Sequence, residues 1–269
     1  MSLVSPHDRV GPDDPRVLLS AEGLTRRFGG VRAVDDMRFS LCEGSITGLI
    51  GPNGAGKSTL FNLVTGVDRS SSGSVMLFGE DITKLRPYQR ARKGMIRTFQ
   101  LSREFGRLTV LENLMLAPQQ QLGERLPAIF FQPGAVRRSD DAVYERALEV
   151  LQISRLEPLR DEYAANLSGG QKKLLELART LMIECSIILL DEPGAGVNPA
   201  LMQTLRDMIV ELNRDHGKTF MIVEHDMDLI AALCDPVIVM TEGRHLMEGS
   251  FDEVRSDPRV IEAYLGGAA

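Results

Sequence analysis

The chain has 269 residues, 43% of them hydrophobic and 25% charged, and a net charge of −6 at pH 7. This length and composition predict a globular protein of one or two domains with a large core. The acidic balance argues against a general nucleic-acid binder, and no apolar run approaches the ~18 residues that a membrane-spanning helix needs.

The first elements along the chain are predicted from short alternating or apolar runs. Residues 1–15 are polar and proline-rich, which is typical of a flexible tail and not of a secretory signal. Strands are expected over residues 16–28, 37–41, 44–50 and 73–78. A helix is expected from about Gly56 to Thr65, so a glycine-rich loop joins the third strand to this helix.

That loop has the sequence GPNGAGKS over residues 51–58, which matches G-x-x-x-x-G-K-[ST]. Its glycines let backbone N–H groups converge on phosphate oxygens, and the helix start adds partial positive charge. Lys57 supplies a full charge for the outer phosphates, and Ser58 offers a hydroxyl to Mg²⁺. Chance produces this pattern only on the order of 0.01 times in such a chain, so a plain glycine turn is a weak alternative. The predicted nucleotide-binding residues are Asn53, Gly54, Ala55, Gly56, Lys57, Ser58 and Thr59.

The composition changes at residue 86, where a basic segment begins. Residues 86–107 contain seven basic residues and one acidic residue, Glu104, for a net charge of +6. Two interpretations stay open. The segment is a solvated face, as scattered arginines usually are, or it faces an anionic membrane surface, where each charge contributes ~1 kcal/mol.

The stretch after the basic segment is predicted to be helical at both ends. A helix is expected over 109–116, and Ser139 is expected to cap a second one. Residues 117–138 between them are punctuated by proline and glycine. They contain an apolar patch at 129–131, which is either the core of a helical subdomain or an interface.

A second chemical motif follows the strand predicted over 187–190. Its four branched apolar residues fit a strand buried on both faces, and Asp191 and Glu192 come directly after them. Carboxylates at the carboxyl end of such a strand lie where α/β sheets place ligands. Asp191 is therefore predicted to hold Mg²⁺ through water, and Glu192 to polarise the attacking water as general base. The alternative, an ordinary strand end, is weakened by the phosphate loop upstream.

The remaining elements alternate helices with strands. Helices are expected over about 168–182 and after Asn198, which is predicted to cap the second of them. Strands are expected over 219–223 and 237–241, and a last helix over 257–266. This alternation implies a mostly parallel sheet in an α/β fold.

Residues 167–171, LSGGQ, open the first of these helices and decide the family. They form a second anion-binding helix start, with Ser168 as cap and Gly169 and Gly170 for close approach. With the phosphate loop and the strand that ends in two acids, this motif makes residues 17–265 resemble the ATP-binding subunits of ABC transporters.

The resemblance implies a P-loop ATPase fold with a mostly parallel core sheet, an antiparallel β-subdomain and a helical subdomain over about 101–175. These parts would form a single domain over 16–265, followed by a short tail at 266–269. The resemblance also implies a head-to-tail dimer, with ATP and Mg²⁺ between the phosphate loop of one subunit and the signature motif of the other. The signature residues that would close over ATP are Ser168, Gly169, Gly170 and Gln171.

Three further positions match the family pattern, and a fourth departs from it. Phe28 resembles the aromatic residue that stacks on adenine, Gln100 the Q-loop glutamine, and His225 the switch histidine at the γ-phosphate. Asn198 stands where many ABC ATPases have aspartate, a difference that bears on signalling between the two sites. Taken alone, these positions are also compatible with a strand end, a polar loop and a structural histidine. The resemblance thus predicts Glu192, His225 and Gln100 as catalytic residues and Ser58, Gln100 and Asp191 as metal ligands.

Five segments indicate a branch of the family. Residues 97–100, 112–114, 195–199, 224–227 and 260–266 look like those of the branched-chain amino acid importer ATPases. Such ATPases pair with a second, similar ATPase, two membrane permeases and an extracytoplasmic binding protein. The resemblance therefore implies a heterodimer or homodimer on the cytoplasmic side of the inner membrane, without a nucleic-acid partner. Importers of urea, amides or small organic acids share these features, and the lipopolysaccharide exporter ATPase shares the terminal Tyr-Leu-Gly.

Two other classes of function compete with transport. A soluble ABC-type ATPase acting on ribosomes or DNA is disfavoured, because the chain has one cassette and no room for long coiled coils. A nucleotide-dependent regulator without turnover is disfavoured by the intact Glu192 and His225.

The cysteines, Cys42, Cys185 and Cys234, are odd in number and lack Cys-x-x-Cys spacing. This excludes a disulfide scaffold and a cysteine zinc site, and it is typical of a reducing cytosol. We expect all three to be small buried apolar residues.

Overall fold

In a computed structural model of the chain, residues 14–98, 104–118 and 132–266 are described. They form two compact units. The first unit comprises the described parts of Met1–Arg97, Ser186–Gly194 and Val210–Ala269, and the second those of Thr98–Cys185 and Ala195–Ile209. Gln100, the apolar patch at 129–131 and most of both predicted tails lie outside the described residues.

The strands of the first unit form two sheets. Their bounds are Val17–Phe28 (β1), Val31–Cys42 (β2), Ile46–Ile50 (β3), Ser72–Leu77 (β4), Glu80–Asp81 (β5), Met95–Arg97 (β6), Ile187–Asp191 (β7), Thr219–Val223 (β8), Val237–Thr241 (β9) and Arg244–Gly249 (β10). One sheet is antiparallel, with the order β2-β1-β4-β5. The other has the order β10-β9-β3-β8-β7-β6 and is parallel except for β10. The two sheets confirm the predicted parallel core and antiparallel sheet.

The central strands of the parallel sheet are buried along their whole length. Every residue of β3, β7 and β8 is buried, as expected for strands covered on both faces. Residues of both sheets and of the first helix join in one apolar core. Because parallel strands end at the same edge, the residues after β3, β7 and β8 lie together there.

Both units contain helices of six residues as well as longer ones. Those of the first unit are Lys57–Thr65 (α1), Pro87–Arg92 (α2), Met227–Leu233 (α7), Phe251–Ser256 (α8) and Pro258–Gly266 (α9). Those of the second are Val110–Met115 (α3), Pro133–Ile153 (α4) and Gly169–Leu181 (α5), which pack against one another, and Pro199–Arg214 (α6) runs through residues of both units. Within the three described ranges, no helix is both long and apolar enough to cross a bilayer.

Most predicted elements agree with the structure to within a few residues, and the strands over 219–223 and 237–241 agree at both ends. The prediction of Ser139 as a helix cap is wrong. The helix α4 starts six residues earlier at Pro133, because proline is favoured at a first helical position. The pattern also missed the short elements β5, α2, β6, α7, α8 and β10, whose apolar runs are too brief to show a period.

The cysteine prediction is right for two residues and wrong for the third. Cys185 and Cys234 are buried, whereas Cys42, at the end of an outer strand, is only half-buried. Burial raises the pKa of the Cys234 thiol to about 12, which keeps it protonated and unreactive.

Both interpretations of the basic segment are wrong for Arg90. Arg90, on α2, is only 2% exposed. Its guanidinium donates to the carbonyl oxygens of Leu63 and Val64 at the end of α1, and to those of Thr83 and Leu85. Burial lowers its pKa to about 10. The Arg90 side chain therefore caps the carboxyl end of α1, where a cation and hydrogen-bond donors are favourable.

Candidate nucleotide site

The phosphate loop between β3 and α1 depends on two glycines for its path. Gly51 has a φ of 153°, and a Cβ there would lie 2.0 Å from the Met240 carbonyl oxygen. Gly56 has a φ of 99°, and its Cβ would lie 2.2 Å from the Ala33 carbonyl oxygen. Any larger residue at either position would push the loop away from the neighbouring strands. The backbone of the loop is thus held in one shape by close packing.

The lysine of the loop folds back over its own backbone. The Nζ atom of Lys57 donates to the carbonyl oxygen of Gly51 at 2.6 Å and to that of Pro52 at 3.1 Å. Burial lowers the pKa of Lys57, and the negative charge of Glu192 opposes that shift. Gly56 begins α1 without a side-chain cap. The start of α1 therefore offers N–H groups and a nearby cation to an anion.

The other predicted residues of the loop differ in exposure. Asn53, Gly54 and Ser58 are exposed, Thr59 is half-buried, and Ala55 is buried. The Ala55 carbonyl oxygen accepts from the N–H of Gly243, in the turn between β9 and β10. Ala55 therefore anchors the loop to the sheet, while its exposed neighbours face outward.

The parallel sheet brings Glu192 and His225 together. Glu192 follows β7, and His225 comes two residues after β8, the strand between β7 and β3. The His225 Nε2 atom lies 3.1 Å from the Glu192 Oε1 atom. Glu192 has a positive φ of 50°, and its N–H donates to the Val223 carbonyl oxygen at 2.9 Å. A carboxylate held by a histidine beside a phosphate loop can orient a water for attack on phosphorus.

Asp191 is buried, and its two carboxylate oxygens have different surroundings. Its Oδ2 atom accepts from Arg97 Nη2 at 2.6 Å, whereas Oδ1 is buried without a hydrogen-bond partner among the described residues. An unpaired buried carboxylate oxygen is costly unless something binds it. A carboxylate oxygen and a serine hydroxyl, such as that of the exposed Ser58, are oxygen donors of the kind that Mg²⁺ prefers. These residues therefore fit a divalent cation.

Glu224 is a residue of this edge that the sequence argument missed. It is 4% exposed. Its carboxylate accepts from the N–H of Gly194 at 2.6 Å and from that of His225 at 2.9 Å. Glu224 thus joins the segment after Glu192 to the segment that carries His225. The clue in the sequence is an acid directly after the buried strand 219–223, the same pattern that identified Asp191.

The predicted adenine-stacking residue lies at the end of β1. Phe28 is 47% exposed, and the Arg26 guanidinium carbon lies 4.5 Å from its ring centroid. One face of the ring is therefore occupied by a cation.

The signature residues lie in the second unit, at the start of α5. The Ser168 hydroxyl accepts from the Gln171 N–H at 3.3 Å, and the Gln171 side chain accepts from the Ser168 N–H at 2.9 Å. Gly169 is exposed, whereas Gly170 is buried, and a Cβ on Gly170 would lie 2.6 Å from Leu201 Cδ1. The start of α5 is therefore capped by its own side chains. The glycine at position 170 also lets Leu201 pack closely against the helix.

Asn198 caps α6 in the same way, since its Oδ1 atom accepts from the Leu201 N–H at 3.0 Å. The predicted site residues thus form two groups. The phosphate loop, Asp191, Glu192 and His225 share one sheet edge, and the signature residues and Asn198 belong to the other unit.

Known protein families match this chain over most of its length. The model of the ABC transporter family matches residues 34–195. A crystal structure of a nucleotide-free ATP-binding cassette from an ABC transporter covers 92% of this chain and 98% of its own, with a TM-score of 0.78 and 35% identity. A cassette of an ABC transporter in its ADP conformation covers 93% and 99%, with a TM-score of 0.79 and 36% identity. The chain therefore belongs to the ATP-binding subunits of ABC transporters.

Similar proteins indicate which branch of the ABC transporter family the chain resembles most. Residues 244–269 match the model of the branched-chain amino acid ATP-binding cassette transporter. The high-affinity branched-chain amino acid transport ATP-binding protein BraF of Pseudomonas aeruginosa is 39% identical over 253 residues, covering 94% of this chain and 99% of BraF. LivG of Escherichia coli, with the same description, is 39% identical over 251 residues, covering 93% and 98%. The chain is thus a transport ATPase that binds ATP and works with membrane permease subunits, as predicted.

Proposed function

We propose that this subunit powers the import of branched-chain amino acids, or of related small amino acids, amides or organic acids. The names of BraF and LivG and the match at residues 244–269 support this substrate class. These relatives give no support to the alternatives of an exporter or a soluble ATPase. Uptake of labelled leucine by membranes that contain the complete transporter tests the proposal. Export, or no uptake of any of these solutes, would contradict it.

The observation that carries hydrolysis is the Glu192–His225 pair beside the phosphate loop. In the proposed mechanism, Lys57 and the N–H groups at the start of α1 bind the outer phosphates of ATP. Glu192 orients the attacking water and accepts its proton, and His225 holds the Glu192 carboxylate in place. Catalysis is then positioning and electrostatic stabilisation of an in-line phosphoryl transfer.

The residues proposed to hold Mg²⁺ are Ser58 through its hydroxyl, Asp191 through water and Gln100. A bound Mg²⁺ would neutralise charge on the phosphates. Phe28 is proposed to stack on the adenine, with its open face to the base.

A second ATPase subunit is proposed to complete the site. Its signature motif, equivalent to Ser168, Gly169, Gly170 and Gln171, would close over ATP bound to this phosphate loop. The exposed, positively polarised start of α5 supports this role. We expect that partner to be a similar ATPase or a second copy of this chain.

The complete transporter would add two membrane permeases and an extracytoplasmic binding protein, with this subunit bound peripherally at the cytoplasmic face of the inner membrane. In the proposed domain organisation, residues 16–265 are one ATPase domain. Thr98–Cys185 with Ala195–Ile209 would be its helical subdomain, because the described helices α3, α4 and α5 pack together there.

The substitution Glu192→Gln tests the catalytic assignment in the complete transporter. We expect ATP binding to persist and phosphate release to stop, because an amide cannot accept the proton of water. The matched control is Glu43→Gln, since Glu43 is exposed and precedes β3 at the edge opposite the phosphate loop. Undiminished phosphate release by Glu192→Gln would exclude Glu192 as the base.

A further inference from the structure

We propose that Arg97 is a positioning residue that holds Asp191 so that one carboxylate oxygen is presented to the divalent cation. The proposal rests on the cation site given under the proposed function. Arg97 ends β6, and the Arg97 side chain is 12% exposed against 0% for Asp191. This pair is therefore shielded from the water and salt that weaken surface pairs.

The guanidinium of Arg97 is fixed by contacts with two elements, the end of β7 and the helix α1. Its Nη2 atom donates to Asp191 Oδ2 at 2.6 Å, at the end of β7. Its Nη1 atom donates to Asn62 Oδ1 at 2.6 Å, on α1. Its Cζ atom lies 5.6 Å from the ring centroid of Phe61, also on α1. One planar group thus links the phosphate-loop helix to the strand that ends in Asp191.

The second anchor of Arg97 is itself held. The Nδ2 atom of Asn62 donates to Asp68 Oδ2 at 3.1 Å, in the loop after α1. Because both the guanidinium and the amide have fixed partners, the Arg97 plane cannot rotate without breaking a partly buried hydrogen bond. Asp191 is therefore held through Oδ2 in one orientation, and Oδ1 is left without a partner among the described residues.

This arrangement differs from an ordinary ion pair on the surface. Arg155 and Asp207 are joined at 3.0 Å in the second unit, with side chains 57% and 37% exposed. Such a pair contributes little and orients nothing that reacts. Arg97, in contrast, acts on a predicted metal ligand, as residues that support metal ligands do.

Binding of Mn²⁺ as a substitute for Mg²⁺ tests the proposal. The full chain, in excess over a non-hydrolysable ATP analogue so that the nucleotide is bound, is titrated with Mn²⁺, and free Mn²⁺ is followed by electron paramagnetic resonance against a titration of the analogue alone. The variants are Arg97→Met, Arg97→Lys and Asn62→Leu, with Arg155→Met as the matched control. Nucleotide affinity is also measured in EDTA, where no cation contributes.

We expect Arg97→Met to weaken Mn²⁺ binding roughly 10–100-fold. Arg97→Lys and Asn62→Leu should weaken it less, because each retains part of the network, and Arg155→Met should not change it. Nucleotide affinity in EDTA should stay unchanged in every folded variant, since Arg97 does not contact the phosphate loop's N–H groups.

Wild-type or tighter Mn²⁺ affinity in folded Arg97→Met would overturn the positioning role, and tighter binding would show that Arg97 competes with the cation. If Arg97→Met does not fold, wild-type affinity in both Arg97→Lys and Asn62→Leu would overturn it equally. Absence of Mn²⁺ binding by the wild-type chain would instead remove the cation site itself, and with it this inference.

Discussion

Two helices of this protein begin with glycine-rich sequences, and their starts are built differently. The cap of α1 is Gly56, in a left-handed conformation without a side-chain cap. The cap of α5 is Ser168, which forms a complete capping box with Gln171. The first N–H groups of α1 are therefore not bonded by a capping side chain, which we call an open start, whereas the Gln171 N–H group of α5 is. The difference arises because only α5 has side chains that reach its free N–H groups.

The opposite end of α1 explains how an open start is maintained. Its last carbonyl oxygens accept from the buried Arg90. The helix is therefore anchored through its carboxyl end while its amino end stays available to phosphate.

The largest effect is expected from removing the anchor of α1. Arg90→Met should lower the free energy of unfolding by at least about 3 kcal/mol, because several buried carbonyl oxygens lose their donor, each at ~1–3 kcal/mol. Urea denaturation measures this change. Arg92→Met, on the exposed side of the same helix, should cost less than about 1 kcal/mol. Equal losses in the two variants would show that α1 does not depend on Arg90.

Removal of the lysine tests whether the open start binds phosphate. Lys57→Ala should lower ATP affinity by about 1.5–3 kcal/mol, roughly 10–100-fold, because a hydrogen bond to a charged group is lost. Isothermal titration calorimetry gives the affinity. The exposed Lys84 provides the control Lys84→Ala, which should bind ATP as the wild type does. Unchanged affinity in Lys57→Ala would place the phosphates elsewhere.

The two glycines of the signature motif separate packing from ligand contact. Gly170→Ala should lower the free energy of unfolding by about 1–2 kcal/mol, because the Leu201 side chain, whose Cδ1 atom would lie 2.6 Å from the added Cβ, must shift to make room. For Gly169→Ala the nearest atom is the Gly196 carbonyl oxygen at 4.0 Å, so stability should stay within about 0.5 kcal/mol. Thermal unfolding of both variants makes the comparison. Equal stability would remove the packing role of Gly170.

The smallest effect is expected at the serine cap. Ser168→Ala should lower the free energy of unfolding by about 1 kcal/mol, and so should Ser250→Ala, since Ser250 caps α8 with the same kind of box. Only Ser168→Ala should also slow ATP hydrolysis by the complete transporter. An equal loss of hydrolysis in both variants would reduce Ser168 to a purely structural cap.

The site was predictable wherever its chemistry depends on adjacent residues. The phosphate loop, the Ser168 cap and the acids after residues 187–190 are each recognised within a few positions. Glu224 was missed because a single acid after a strand is also typical of an ordinary strand end, whereas Asp191 and Glu192 were supported by the phosphate loop upstream. Arg90 was misjudged because a run of basic residues is typical of a surface, whereas in the fold it faces free carbonyl oxygens.

The sequence by itself determined the family, the order of most strands and helices, and the residues that could bind phosphate. These depend on backbone conformation and capping, which are local properties of the chain. Only the tertiary structure decided that Glu192 meets His225 and that Arg97 holds Asp191. Those contacts join strands that are distant in the chain, and the pairing of β6, β7 and β8 in one parallel sheet sets their distances.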